Sequence, residues 1–215
     1  MNSKTISPSL FLYLTKYNEM DQLDTALNND EIKQEKGETD SQYQEKLDKI
    51  RFIMNRAYNQ TLQIIKVTLE QISEIDFPGK IELDNKDNKI RNNWRGEVHL
   101  KNSKDKKRKL GIAFDLTQVS DKPSYDIWIW YADAVTIDKS RKAQDLENYF
   151  RKKNLVNTNL PDDYNRETGD EEGLVCRIVM PIEENMDVQN LIQTAVKNFK
   201  DSVIDNWDKI NEIAG

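Results

Sequence analysis

Three short runs with apolar residues at every second position follow one another in the middle of the chain, and long helical patterns flank them. The runs cover residues 95–101, 109–117 and 125–131. Such alternation is typical of β-strands that have one face buried. Two further runs, at residues 80–84 and 174–180, extend the pattern. The sequence therefore predicts a sheet of about five strands.

The longest helical pattern covers residues 40–75, which contain neither glycine nor proline. Apolar residues recur there at spacings of three and four, as on one face of a helix. At about 1.5 Å per residue this helix would reach roughly 50 Å, longer than one face of a small sheet can cover. We therefore expect part of it to contact something other than the sheet.

Helical patterns also lie at both ends of the chain and between the last two strands. Ser7 followed by Pro8 predicts a helix start, since serine can cap free amides and proline suits the first helical position. This helix is expected to end near Asn28, and further helices are predicted at residues 136–153 and 188–214. The fold class is therefore α+β, with an antiparallel or mixed sheet packed against long N- and C-terminal helices.

The best candidate for a domain boundary is the segment at residues 29–41, which is polar, contains a glycine and shows no periodicity. We interpret it as a linker between an N-terminal helix at residues 1–28 and a main α+β domain at residues 42–215. The pattern leaves open whether the first helix joins the main core.

Composition limits the location and the classes of partner. The 215 residues are 37% hydrophobic and 33% charged, with a mean hydropathy of -0.83. No apolar run approaches the roughly 18 residues that suggest a membrane span, so we expect a cytoplasmic protein without a membrane partner. The net charge of -6 argues against a surface that binds nucleic acid over its whole extent. The single cysteine, Cys176, is expected to be a buried hydrophobic residue.

One predicted strand carries a polar face that contains the only histidine. Glu97, His99 and Lys101 alternate with apolar residues and therefore lie on one side of the strand. Asp84 ends the preceding strand and would lie alongside. Two carboxylates, an imidazole and an amine in one patch can hold Mg²⁺ or Mn²⁺ and polarise a phosphate. These four residues are the candidate catalytic site of a metal-dependent nuclease.

The order of elements over residues 40–180 resembles that of restriction-endonuclease-like nucleases, in which an aspartate on one strand precedes Glu-x-Lys on the next. The resemblance implies catalytic roles for Asp84, Glu97, His99 and Lys101. Here the second strand reads Glu97-Val98-His99, and Lys101 comes two residues after the position of the family's lysine. The alternative, which we favour, is that these side chains form the solvated face of a half-exposed sheet.

Two other strand faces are candidates for contact. Asp115 shares its side of a strand with the small residues Gly111 and Ala113, which let another element or a ligand approach closely. Trp128 and Trp130 lie on one side of the next strand, where aromatic side chains can anchor a partner or stack on bases. Close packing within the fold is the commoner reason for both patterns, and we favour it.

Further candidates lie on the long helix and on a predicted hairpin connection. The apolar stripe of the helix is a candidate surface for a partner or for self-association, and it includes Tyr43, Leu47, Ile50 and Met54. The basic connection is a weak candidate for nucleic-acid phosphates, and it includes Lys106, Lys107 and Arg108. A solvated turn is the usual reason for such a lysine cluster.

Common enzyme and metal motifs are absent from the sequence. It contains no phosphate-binding loop, dinucleotide fingerprint, nucleophile elbow, zinc spacing or calcium loop. We expect no cofactor, except Mg²⁺ or Mn²⁺ under the nuclease hypothesis. The leading hypothesis is a non-catalytic interaction protein, an inhibitor or regulatory subunit, that binds another protein or self-associates through its long helices. The alternatives are a divergent metal-dependent nuclease and a non-enzymatic nucleic-acid-binding protein.

Overall fold

A computed structural model describes residues 4–84, 89–91, 95–119, 122–131, 137–153 and 174–215. The helices are α1 (Pro8–Thr15), α2 (Tyr17–Asn28), α3 (Asp40–Ser73), α4 (Ile137–Lys152), α5 (Val188–Phe199) and α6 (Trp207–Ala214). The strands are β1 (Ile81–Leu83), β2 (Lys89–Arg91), β3 (Arg95–Asn102), β4 (Arg108–Val119), β5 (Lys122–Tyr131) and β6 (Leu174–Pro181). The predicted α+β fold with long N- and C-terminal helices is confirmed.

The strands form one sheet that is antiparallel throughout, in the order β1-β3-β4-β5-β6. β1 pairs with the last residues of β3, whereas β2 pairs with its first residues. Two short strands therefore share one edge position, and the described sheet is five strands wide, as expected. The sequence did not predict β2, which lies between the runs at residues 80–84 and 95–101 and continues the edge beside β3.

The starts of the first and third helices follow from local capping. The Ser7 hydroxyl accepts a hydrogen bond from the Leu10 amide, and Pro8 occupies the first turn. Before α3, Thr39 and Gln42 each bond the other's backbone amide in a capping box. These bonds satisfy amides that have no partner inside the helix.

The two terminal helices are interrupted where single continuous helices were expected. α1 ends at Thr15, whose hydroxyl bonds the Phe11 carbonyl and whose own carbonyl accepts a hydrogen bond from Gln118 at 3.0 Å. The Gln118 side chain, which belongs to the sheet, thus occupies the Thr15 carbonyl. In a continuous helix this carbonyl would accept a hydrogen bond from a backbone amide of the next turn. Between α5 and α6, a π-helical turn covers Lys200–Ile204, and the Asn206 amide donates to two carbonyls of this region.

The helix-facing side of the sheet holds the core. A Cβ atom on Gly96 would lie 2.4 Å from Cγ2 of Ile65, so α3 approaches β3 closely. The rings of Phe114 on β4 and Phe199 on α5 lie 6.2 Å apart. The first helix belongs to this cluster as well, because Leu10 and Leu14 on α1 are fully buried in it. Within the described residues, no helix is long and apolar enough to cross a membrane.

Candidate functional site

The other side of the sheet, which we call the polar face, brings charged and aromatic side chains from four strands together. It carries Arg95, Glu97 and His99 on β3, Gly111, Ala113 and Asp115 on β4, Ser124, Asp126, Trp128 and Trp130 on β5, and Arg177 on β6. In one row across the sheet, Asp115 lies between Arg95 and Asp126. In the next row, Trp128 lies beside Arg177.

Two tryptophans are held on the polar face by stacked cations. The Arg177 guanidinium lies 4.1 Å from the centroid of the Trp128 ring, and the Arg95 guanidinium lies 5.5 Å from that of Trp130. Both tryptophans are only half-buried. The two aromatic rings are therefore held where part of each residue remains exposed to solvent. The favoured expectation for them was packing in the core.

The small residues of β4 make room for one of these rings. A Cβ atom on Gly111 would lie 2.2 Å from Cε2 of Trp130, so the indole lies across the glycine backbone. The His99 ring meets the same indole edge to face, with a centroid distance of 5.9 Å. The sequence predicted that a group approaches the small residues of β4 closely. At Gly111 that group is the Trp130 side chain of the neighbouring strand.

The three carboxylates of the polar face differ in their ion pairs. Asp126 is fully buried and accepts a hydrogen bond from Nε of Arg177 at 2.6 Å. Glu97 is paired with Arg95, with 3.1 Å between Oε1 and Nε. Asp115 makes no hydrogen bond or ion pair with another residue that the structure describes. Among the described residues of this face, two of these three carboxylates are therefore paired with a guanidinium group.

Burial sets the protonation behaviour of the two aspartates. It raises the pKa of Asp115 to about 7, and the Asp126 charge acts in the same direction, while Arg95 and Arg177 oppose the change. Burial also raises the pKa of Asp126, against the opposing effect of Arg177. Asp115 thus changes charge near neutral pH, which an unperturbed aspartate does not do.

Ser124, Asp126 and Trp128 lie two residues apart on β5 and therefore point to the same side of the strand. The Ser124 hydroxyl acts on the Asp126 carboxyl and lowers its pKa, against the effect of burial. Nε1 of Trp128 is buried and has no hydrogen-bond partner among the described residues. Because this atom is closed to solvent, a group from outside the chain does not reach it in this conformation.

The four residues proposed for a nuclease site lie near one another. Glu97 and His99 are on the polar face, and the Asp84 amide donates a hydrogen bond to the His99 carbonyl at 2.8 Å. The Asp84 carboxylate is paired with Arg108 at 2.8 Å and with Lys101 at 3.6 Å. Among the described residues, no group of three or more His, Cys, Asp or Glu side chains is placed to hold a metal ion.

The stripe proposed for partner binding on α3 contacts the chain itself. Leu47 and Met54 are buried, and Tyr43 and Ile50 are half-buried. The Tyr43 hydroxyl also donates a hydrogen bond to the carbonyl of residue 32 at 2.5 Å. The exposed apolar side chain of α3 is instead Phe52, at 61% exposure.

The basic hairpin connection lies beside carboxylates. Lys106 contacts Glu82 at 2.5 Å, and Arg108 is paired with Asp84. Lys107 is exposed. Two of the three cations proposed for phosphate contact therefore already have an anionic neighbour.

Sequence reasoning did not find the contributions of Asp126, Arg177 and Arg95. The sequence showed on which side of its strand each residue lies. It did not show that they are neighbours, because this depends on how strands β3 to β6 pair, and periodicity does not predict strand pairing. The fold and this face define an α+β protein with a layer of charged and aromatic side chains on one side of an antiparallel sheet. No family model, curated protein or solved structure matches this chain.

Proposed function

We propose that the protein is a non-catalytic interaction protein, an inhibitor or regulatory subunit, that binds another protein through the polar face. The observation that carries the proposal is the pair of half-buried tryptophans, each with an arginine stacked on its ring. Tryptophan and arginine are the residue types that most often dominate the energy of protein interfaces.

The fixed positions of these side chains also favour binding. Trp130 lies across Gly111 and against His99, and Arg177 is held between Trp128 and Asp126. Side chains that are already ordered lose little conformational entropy when a partner arrives. A polar face of this kind is therefore better suited to recognition than a set of flexible surface charges.

The test is capture of a partner by the affinity-tagged full chain from the cells that produce it. Trp128→Ala and Trp130→Ala are compared with Phe52→Ala, which removes an exposed aromatic side chain from α3 on the opposite side of the sheet. Circular dichroism of each purified variant establishes that it is folded. We expect the two tryptophan variants to lose the partner and the Phe52 variant to retain it.

A partner retained equally by both folded tryptophan variants would contradict the proposal. Self-association is the case in which the partner is a second copy of the chain, and sedimentation equilibrium distinguishes it. Under that version the wild-type chain forms a dimer at high concentration and the tryptophan variants remain monomers.

A further inference from the structure

Among the described residues, one carboxylate of the polar face makes no ion pair. Arg95 is paired with Glu97 and Arg177 with Asp126, whereas Asp115 has neither arginine as an ion-pair partner. Asp115 is half-buried, so part of the residue is exposed to solvent. Of the described carboxylates on β3, β4 and β5, Asp115 is therefore the one that is available to an external cation.

The chain's own arginines show how such a charge is held on this surface. Arg177 donates to the Asp126 carboxylate and at the same time stacks on the Trp128 ring. Arg95 combines a contact to Glu97 with a position over Trp130. A planar guanidinium makes both interactions at once, whereas the compact ammonium of lysine does not.

We propose that Asp115 binds the guanidinium of an arginine side chain carried by a protein partner, beside Trp128 and Trp130. This inference rests on the proposed function and names the chemistry that the partner presents. The Asp115 carboxylate forms the ion pair. Trp128 and Trp130 lie on the same face of the sheet, each already covered by an arginine of the chain.

The interaction depends on pH because Asp115 must be ionised to bind a cation. The charged and titratable groups that face it are Arg95 from β3, Asp126 from β5, Arg177 from β6 and Tyr17 from α2. With a pKa of about 7 for Asp115, its ionised fraction rises about tenfold between pH 6 and pH 8.

The experiment titrates the full-length, isotope-labelled protein with the capped tripeptide Gly-Arg-Gly. The indole N–H signals of Trp128 and Trp130 are followed by NMR. The matched peptides carry lysine, or citrulline, which is the neutral isostere of arginine. We expect saturable shifts with the arginine peptide in the millimolar range, at least about tenfold weaker binding of the citrulline peptide, and about tenfold tighter binding at pH 8 than at pH 6.

Asp115→Asn is expected to weaken binding of the arginine peptide by at least about tenfold. Asp208→Asn is the control, since Asp208 is exposed and pairs with Lys80 on the surface. The pH dependence of the wild-type chain tests the same point if the Asp115 variant does not fold. A His99→Gln variant that keeps this dependence excludes His99 as its source.

Three results would overturn the inference: no shift up to about 50 mM peptide, equal binding of the citrulline peptide, or equal binding by a folded Asp115→Asn variant. If one of these occurs while the tryptophan variants still lose the captured partner, the proposed function stands and only the arginine assignment fails. If the tryptophan variants retain the partner, the proposed function itself fails.

Discussion

Replacing Asp115 by asparagine should make the stability of the protein less dependent on pH. The pKa of Asp115 is about 7 in the fold, against an ordinary value of 3.8. That difference corresponds to at most about 4 kcal/mol for ionising the side chain in the folded state relative to the unfolded chain. Asparagine keeps the size of the side chain and removes the ionisation.

The sign follows from the raised pKa. The folded state holds the Asp115 proton more tightly than the unfolded state, so wild-type stability from this group is greatest below about pH 4 and is lost as the pH rises to about 7. We therefore expect the advantage of Asp115→Asn over wild type in unfolding free energy to grow by at most about 3 kcal/mol between pH 5 and pH 8.

Urea unfolding at several pH values, followed by tryptophan fluorescence and far-ultraviolet circular dichroism, measures this difference. Asp208→Asn is the matched control, because its side chain is 77% exposed, and we expect it to change stability by less than about 0.5 kcal/mol at each pH. A difference between Asp115→Asn and wild type that does not vary with pH would refute the reasoning, because Asp115 would then titrate alike in both states.

Three further outcomes are expected on the same side of the sheet and in the core. Gly111→Ala should displace the Trp130 indole, which lies 2.2 Å from the added Cβ position. The substitution should destabilise the fold by about 1–3 kcal/mol. An unchanged near-ultraviolet circular dichroism spectrum would contradict the displacement. Arg177→Met should cost about 3–5 kcal/mol in urea unfolding because it leaves the Asp126 charge buried and unpaired, and adding Asp126→Asn should recover most of the loss. Burial raises the pKa of the Cys176 thiol, so a thiol reagent should label the protein only as fast as it unfolds, and rapid labelling of the native state would show the site to be open.

Periodicity and capping were sufficient for most helices and strands, but not for β2 or for the breaks after α1 and α5. The alternating runs of β3, β4, β5 and β6 were predicted close to their observed bounds, and Ser7 caps α1 by a bond to a residue only three positions away. These features depend on interactions within a single segment. That is why they could be derived without the tertiary structure.

The break after α1 depends on a distant residue. The Gln118 side chain on β4 donates a hydrogen bond to the Thr15 carbonyl, and no sequence pattern near Thr15 predicts this contact. The same limit applies to the polar face. Alternation predicted that Glu97 shares a side with His99 and that Asp115 lies beside small residues, but it did not predict which strand supplies their neighbours.

The amino-acid sequence alone determined the α+β class, the strand alternation and the side of each strand on which a residue lies. Tertiary structure decided which carboxylate received a cation. Arg95, Asp115, Asp126 and Arg177 are brought together by the antiparallel pairing of four strands, including an irregular register between Ile129 and Trp130. A shift of one residue in any pair would move a strand's side chains to the other face. Strand pairing, a long-range property, places Arg95 opposite Asp115 and Arg177 beside Asp126. Asp115 is nevertheless left without an ion pair among the described residues, because Arg95 contacts Glu97 on its own strand.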